Sequence, residues 1–548
     1  MDKKKKVLVA GAWVYANGSL HIGHLASLLP GDVIARYHRA IGNEVCYVSG
    51  SDCHGTPVSI RARAEQTTPE AISDFYHKEF KELFEKLGFS YDGYDKTSSE
   101  HHKKFVTEFH KRLYQSSYVN EREVPQVYCP KCEKVLTDRL VLGKCPVCGV
   151  KTRGDQCDAC GAVLEAENLI EPYCSVCHTP TVLTKSKHLY IEISKLEKEL
   201  TAYLESHPEW RKNAIAFTRR YIEEGLKDRA LTRDLDWGID VPKAGYEDKK
   251  IYIWAENVLG YLSVSEEVCE KKGLSFEELW GKDALHYYVH GKGNIPFHTI
   301  ILPSLLLAEG SGYHLPDKII SSEYITLEGE KISTSKNWAI WVKDLVNRYD
   351  PDSLRYFFLI NGPEKRDTDF SWREYVTTHN SELLGAYGNL VNRTLAFLVK
   401  YRDGILPDGV VDAEIKTKIE ELYGKAGKKI EEGEIRSALE DIFEFIRFGN
   451  QYFDKKQPWK TRTEDEKACD DTLYQCVQII GNAAVLLAPF LPFSSEKVLG
   501  WLQLTKEWEP KTVAGGVKLP EISILFSRLD KSVIEEEKER LKAQKKKN

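Results

Sequence analysis

The chain has 548 residues, of which 42% are hydrophobic and 29% charged, and a formal net charge of −6. That length exceeds one ordinary core and predicts a soluble, globular protein of about two to four domains. The acidic balance excludes non-specific nucleic-acid binding over the whole surface while leaving room for a local basic face, and no apolar run is long enough for a membrane span.

The N-terminal stretch "MDKKKKVLVAGAWVYA" has the basic start and short apolar run of a secretory leader. No further secretory feature follows, and the run leads directly into a histidine motif, so "VLVAGAWV" is predicted to be a buried first strand. "HIGHLASLLPGDVIARYHRAIG" has apolar residues at helical spacing, and "NEVCYVSGSDCHG" reads as a second strand ending in a loop. Strand, helix and strand in this order open a parallel α/β sheet, whose ligands bind beyond the carboxyl ends of the strands. His21 and His24 then fall at a strand-to-helix turn, where a helix N-terminus can meet anionic groups, and Asp52 and His54 face the same crevice. Residues 120–185 are rich in Cys, Gly and Pro and lose helical periodicity, which marks a small inserted domain. From 186 to 375 the α/β pattern resumes, with "KKIYIWAENVLGY" and "ALHYYVHGKGNIPFHTIILPSLLL" as strand–helix units. Residues 376–530 are strongly helical and predict an antiparallel bundle. Residues 531–548 are charged with little apolar pattern, and a frayed helix or solvated tail is expected there.

Eight of the thirteen cysteines form four Cys-x-x-Cys pairs: Cys129/Cys132, Cys145/Cys148, Cys157/Cys160 and Cys174/Cys177. Zinc takes four thiolates in a tetrahedron and each such turn presents two, so the four pairs predict one or two zinc ions. Sites closed by protein ligands on all sides are structural rather than catalytic, and reduced thiols suit a cytoplasmic protein. The "HIGH" motif alone is ambiguous, since paired histidines also bind metals or fill cores. Its meaning depends on "LEGEKISTSKNW" far downstream, where Lys331, Ser333, Thr334, Ser335 and Lys336 offer cations and hydroxyl donors to a triphosphate. There is no Walker-type loop and no dinucleotide fingerprint.

Taken together and in order, "YANGSLHIGHL", "GSDCHGTPV", "LTRDLDWGIDVP", "GKGNIPFHTII" and "EGEKISTSKNWAIWV" resemble the signatures of class I aminoacyl-tRNA synthetases, in detail those of the methionyl-tRNA synthetases, over residues 7–530. The four knuckles and the threonine in the second signature resemble the archaeal-type branch, which some bacteria also carry. The resemblance implies an α/β fold: a Rossmann-type catalytic domain in two halves (1–119 and 186–375), a zinc-binding insert (120–185), an all-α anticodon-binding domain (376–530) and a charged tail (531–548). It implies ATP-dependent activation of methionine to its adenylate and transfer to tRNA(Met). His21, His24, Lys331, Ser333, Thr334, Ser335 and Lys336 are then expected on ATP, with Mg2+ on the leaving pyrophosphate, and Gly291, Lys292 and Arg233 fall in matching segments. Thr334 stands where the family commonly has a second lysine, and Lys336 is the candidate replacement.

The amino-acid pocket implied by the resemblance comprises Trp13, Tyr15, Asp52, Trp254, Asn257, Val258, Tyr261, Asn294 and His298, with Asp52 on the substrate ammonium. An apolar and aromatic lining suits a polarizable thioether. Trp13, Asn257, Val258 and Gly293 depart from the residues usual in the family. They motivate two other readings, a paralogue activating another apolar amino acid or a methionine analogue, and a tRNA-binding regulator that has lost catalysis. Cys145/Cys148 are expected to join Cys157/Cys160, as in single-zinc relatives, leaving the outer pairs to each other. In isolation Trp459 reads as a core residue. The family match instead places Asn389, Arg393 and Trp459, the last flanked by Lys455, Lys456 and Lys460, as readers of a CAU anticodon. A monomer is expected, because the appended domain that makes many relatives dimers does not follow the bundle.

Overall fold

The computed structural model describes residues 4–136, 140–154, 157, 159–160, 164, 166–334 and 336–545. At its centre lies a parallel sheet in the order Lys318–Ser322, Leu285–Gly291, Lys6–Gly11, Glu44–Asp52, with Val14–Tyr15 and Gly93–Lys96 both pairing with Glu44–Asp52. Val7, Leu8 and Val9 are completely buried, as expected of a continuous apolar run covered on both faces. The helix Ile22–Ala40 packs on one face and the helix Gly260–Lys272 on the other. Strand order reverses on either side of Lys6–Gly11, so the crevice opens at its carboxyl end. The expected strand–helix unit at "KKIYIWAENVLGY" is less regular than predicted. Only Lys250–Ile251 is strand, and short 3-10 turns, Ile253–Ala255 and Asn257–Leu259, lead into the helix.

A buried ion pair ties this catalytic body to the helical region. Arg355, on Pro351–Ile360, reaches Asp32 of the first helix at 2.7 Å. The same guanidinium donates to the carbonyls of Leu87 (3.2 Å), Pro489 (3.1 Å) and Phe490 (2.7 Å). Burial alone would raise the Asp32 pKa, but the charges of Arg355 and Arg36 outweigh it and hold the carboxyl at about 2. Removing one partner of such a pair strands the other in low dielectric, at a cost of about 3–5 kcal/mol.

The insert leaves the catalytic body on two long antiparallel strands, Val119–Cys129 and Val182–Ile191, and ends in a three-stranded sheet of Lys151–Arg153, Val141–Lys144 and Ile170–Cys174. Its separate core is small, with Val127, Leu136, Val141 and Leu169 packed around cysteines. In the helical region Ile435–Lys456 buries Ile435, Ala438, Leu439, Ile442, Ile446, Gly449 and Phe453, a stripe at i, i+3 and i+4 spacing that packs on Glu466–Leu487. Among the described residues no helix is long and apolar enough to cross a membrane.

Of the frayed helix or solvated tail expected for the charged C-terminal segment, the structure has a helix, docked rather than frayed. Ser532–Lys545 forms a helix docked on the catalytic body, with Leu541 and Glu537 buried. Glu537 accepts from the Tyr349 hydroxyl (2.8 Å) and pairs with Arg348 (2.9 Å). Its few apolar anchors and its ion-pair partners, which are distant in sequence, left no periodic signal.

Burial lowers the pKa of several core imidazoles: His38, His110 and His290 to about 4, and His102 and His286 to about 3, against 6.5 for a free ring. These rings are neutral in the fold and take up protons once unfolded. Their stabilisation is therefore complete above pH 6.5 and is lost as pH falls toward 4. Urea unfolding is expected to shift to steadily lower midpoints between about pH 7 and about pH 5, at up to about 1.4 kcal/mol per pH unit for each ring. A constant midpoint across that range would contradict it.

Candidate active site

The two signatures are joined through their backbones. Ile22 N donates to Ile340 O (3.1 Å) and Val342 N to Leu20 O (2.8 Å), an antiparallel bridge centred on His21 and Trp341. His21 is the N-cap of the first helix. Its Nδ1 accepts from Gly23 N (3.1 Å), and His24 Nδ1 accepts from His21 N (3.1 Å). The two rings lie 4.0 Å apart. Gly23 is required here, because a Cβ would come within 2.8 Å of the His21 ring. Burial pushes His21 down to about 4; burial and the neighbouring His21 push His24 well below its ordinary value. Both rings are therefore neutral near pH 7. With Nδ1 accepting in each, the proton sits on Nε2, so the pair offers two N–H donors beside a helix N-terminus.

Lys331 lies on the exposed strand Glu330–Lys331, and the loop after it closes where Ser333 pairs with Trp338. Thr334 and Lys336 are exposed on that loop, whereas Ser335 falls outside the described residues. Gly291 ends a central strand beside the first helix, with Ser27 the nearest side chain to its Cα face. Lys292 is committed elsewhere: it pairs with Glu323 (2.6 Å) and Asp367 (3.0 Å) and lies 4.0 Å over the Tyr324 ring. Arg233 stacks on Tyr252 at 4.5 Å, and Tyr252 in turn adjoins Trp254.

Of the residues expected in an amino-acid pocket, Asp52 contacts Asn257, and Tyr261 contacts both His298 and Trp13. Asp52 ends its strand opposite Tyr15 and is fully enclosed. Asn257 Nδ2 donates to its Oδ2 (3.0 Å), and Oδ1 has no hydrogen-bond partner among the described residues. Burial, reinforced by the charge of Glu256, raises the Asp52 carboxyl well above the usual range. A cationic ligand placed there would restore its ionised form. The Tyr261 hydroxyl meets His298 Nε2 at 2.9 Å, while His298 Nδ1 donates to the Asn294 carbonyl (2.9 Å) from a π-helical turn, Phe297–Ile301. Trp254 meets Phe297 edge-on at 5.3 Å, and Val258 is buried beside it in the next turn. The Trp13 indole lodges between Gly50 and Gly260, where a Cβ at either position would strike the ring. It therefore packs between sheet and helix. Gly293 has open space around it.

Beneath Asp52 lies a buried group that the motifs did not single out. Glu256 is hydrogen-bonded to His54 Nδ1, with His102 Nε2 at 3.9 Å. A carboxylate in the middle of the apolar "WAENVLGY" was the available signal.

The cysteines gather into two sets, Cys129/Cys132/Cys174/Cys177 and Cys145/Cys148/Cys157/Cys160, with the Sγ atoms of each set within 4.8 Å of one another. Cross-pair Sγ separations of 3.3 and 3.9 Å in the outer set, and 3.8 and 3.5 Å in the inner, bracket the edge of about 3.8 Å in a tetrahedron with zinc–sulfur bonds of about 2.3 Å. Backbone N–H groups of Cys132, Val147 and Val176 point at knuckle sulfurs, which stabilises thiolates. Both sets fit structural zinc.

In the helical region Asn389 and Arg393 lie one turn apart on Asn389–Tyr401. Asn389 Nδ2 donates to Asn450 Oδ1 (3.0 Å), and Arg393 pairs with Asp454 (2.5 Å) and stacks on Phe453 (4.0 Å). Trp459 adjoins the same ring at 6.0 Å and is 44% exposed, so it is a surface aromatic. The three residues thus form one patch of amide, guanidinium and indole.

Residues 7–395 match the family model for class I tRNA synthetases (M), and residues 407–545 that for the anticodon-binding domain of methionyl tRNA ligase. The chain is 51% identical over 534 residues to methionine–tRNA ligase 1 of Alkaliphilus oremlandii, covering 97% of this chain and 98% of that protein. It is also 51% identical over 539 residues to the methionine–tRNA ligase of Bacillus mycoides, covering 98% and 99%. Among solved structures, Mycobacterium tuberculosis methionyl-tRNA synthetase bound by methionyl-adenylate shares the fold, with a TM-score of 0.80 at 23% identity over 96% of this chain and 100% of that one. With both signatures joined at one crevice and the family matched along nearly its whole length, the chain belongs to the class I methionyl-tRNA synthetases, the methionine–tRNA ligases.

Proposed function

We propose that the crevice at the head of the first helix carries both steps of methionine ligation, with roles divided among the residues as follows. A carboxylate oxygen of methionine attacks the α-phosphorus of ATP, which enters as its magnesium complex. The bond to the pyrophosphate oxygen breaks, leaving methionyl-adenylate. The 3′-terminal hydroxyl of tRNA(Met) then attacks the acyl carbon, and AMP departs. His21 and His24 donate from Nε2 to phosphate oxygens as charge builds up there. Lys331 and Lys336, with Ser333, Thr334 and Ser335, bind the triphosphate tail and the leaving pyrophosphate. Asp52 receives the methionine ammonium on its unpartnered oxygen. Trp254, Val258, Tyr261 and His298 surround the thioether, with Tyr15, Asn257 and Asn294 at the pocket's edge. Gly291 and Arg233 border the nucleotide, and Lys292 acts there by holding Glu323 and Asp367 in place.

The observation that carries this reading is the backbone bridge of residues 20–22 to residues 340–342, which supports reading the histidines and the lysine loop as one site. The lodging of Trp13 between two glycines favours methionine over a paralogue's substrate, because the indole is accommodated by packing. When bound, zinc supplies the cohesion that the small insert core lacks, held by the two cysteine sets. The presence of two such sets supports placing the chain in the archaeal-type branch, and their thiolates suit a reducing cytoplasm. Asn389, Arg393 and Trp459 read the CAU anticodon, the indole stacking on an unpaired base and the amide and guanidinium meeting base edges.

ATP–pyrophosphate exchange across a panel of amino acids should respond to methionine alone. A stronger response to another amino acid would overturn the substrate assignment. Lys336→Ala should slow exchange on the order of a hundredfold if Lys336 replaces the lysine usual at Thr334; an unchanged rate would refute that compensation. Cys132→Ser should leave the purified chain with one zinc where the parent holds two. Loss of both ions on metal analysis would show that the sites are not independent.

A further inference from the structure

The last turn of the C-terminal helix grips the base of the signature loop. Residues 333–338 close on themselves, with Ser333 N to Trp338 O and Trp338 N to Ser333 O both at 2.9 Å. Asn337 stands at the foot of this loop with φ at +50°, in the left-handed region that a non-glycine residue adopts only when held there. The holding group is Gln544. Its Nε2 donates to Asn337 O (3.1 Å), Asn337 Oδ1 (3.2 Å) and Ala339 O (2.9 Å). In return Asn337 Nδ2 donates to the Gln544 backbone carbonyl (2.9 Å), one of the carbonyls that a helix end leaves unsatisfied. Lys545 pairs with Glu330 (3.1 Å) and lies 4.3 Å over the Trp338 ring, and Lys538 faces Glu328 at 3.4 Å. Both arms of the loop are thereby tied to one helix, while Lys331, Thr334 and Lys336 stay exposed beyond the anchor.

We propose that Gln544 is a positioning residue for adenylate formation. It touches no substrate, but it fixes the foot of the loop at Asn337 and Ala339, so that Lys331, Thr334 and Lys336 are presented to the triphosphate from an anchored base. The inference rests on the reading of that loop as the triphosphate clamp. The physical gain is entropic: a loop held at both arms loses fewer conformations on closing than one that is free to swing. The helix is itself well placed as an anchor. Glu537 is buried against Arg348 and Tyr349, and the segment before the helix is pinned by Asn380, which donates to Leu529 O (2.8 Å) and accepts from Leu529 N (3.0 Å).

The test is ATP–pyrophosphate exchange on the full chain, with KM and kcat measured separately for ATP and methionine. Gln544→Ala should raise the KM for ATP on the order of tenfold, with the KM for methionine and the melting midpoint as in the parent. Lys542→Ala, on the exposed side of the same turn, should match the parent. Asn337→Gly accepts the positive φ and removes the partner amide, so it should reproduce the Gln544→Ala effect, and the two together should cost no more than one. A parental KM for ATP in both single variants overturns the proposal. So does a joint rise of both KM values with a lowered melting midpoint, which would mark a purely structural contact. Lys331→Ala separates the two readings: if it exchanges pyrophosphate normally, the clamp itself is wrong, whereas if it is inactive and Gln544→Ala is parental, only the anchor fails.

Discussion

The antiparallel backbone bridge between residues 20–22 and 340–342 is the constraint from which the rest of the site follows. It fixes the head of the first helix against the segment that follows the lysine loop, so the two signatures are tied through their backbones. Because the bridge uses main-chain groups, it leaves the side chains of His21 and His24 to turn their Nδ1 atoms inward onto the helix cap and their Nε2 atoms outward. A pair of neutral donors at a helix N-terminus is better matched to a phosphate that changes charge during reaction than two fixed cations would be. In the role proposed for His21 and His24, such donors would supply hydrogen bonds that strengthen as charge develops, without holding the ground-state anion too tightly.

The same helix carries this order across the molecule. Its 19 residues span about 28 Å. Midway, Asp32 meets Arg355, which also caps the carbonyls of Pro489 and Phe490 in the helical region. Near its end Tyr37 bonds to Glu431 (2.9 Å), and Trp508 N donates to Ala40 O (3.0 Å). The sheet face covered by the first helix therefore shares one continuous apolar core with the helices bearing Asn389, Arg393 and Trp459, whereas the opposite face of the sheet and the cysteine-rich insert each have their own. The insert stands apart on two strands around a small core, and its two cysteine sets lie where bound zinc would add cohesion.

Much of this was legible from local pattern. The apolar run 7–10 announced a strand buried on both faces, and the periodicity of Ile435–Lys456 announced a bundle helix, because both patterns are written in consecutive residues. The cysteine spacing showed which residues form knuckles, since a Cys-x-x-Cys turn is a local object. What escaped was non-periodic or non-local. The docked helix Ser532–Lys545 is anchored by ion pairs and amide contacts whose partners lie some two hundred residues upstream, and charge by itself does not say whether it is solvated. The irregular approach to the pocket, with its 3-10 and π turns, has no sequence period that would mark it.

The sequence by itself determined which chemistry is present: two histidines, a lysine and hydroxyl loop, a pocket carboxylate and four thiolate pairs, each in a segment matching one family. Only the tertiary structure decided how those groups behave. Burial made the histidines neutral and raised Asp52, and the slot between Gly50 and Gly260 packs the indole of Trp13 between sheet and helix. Lys292 was drawn into a carboxylate pair, and Gln544 was placed on a loop some two hundred residues upstream of it. Residue identity sets what a side chain can donate or accept. Its charge state and direction depend on solvent exclusion and on neighbours brought in by the fold, which adjacent residues do not encode.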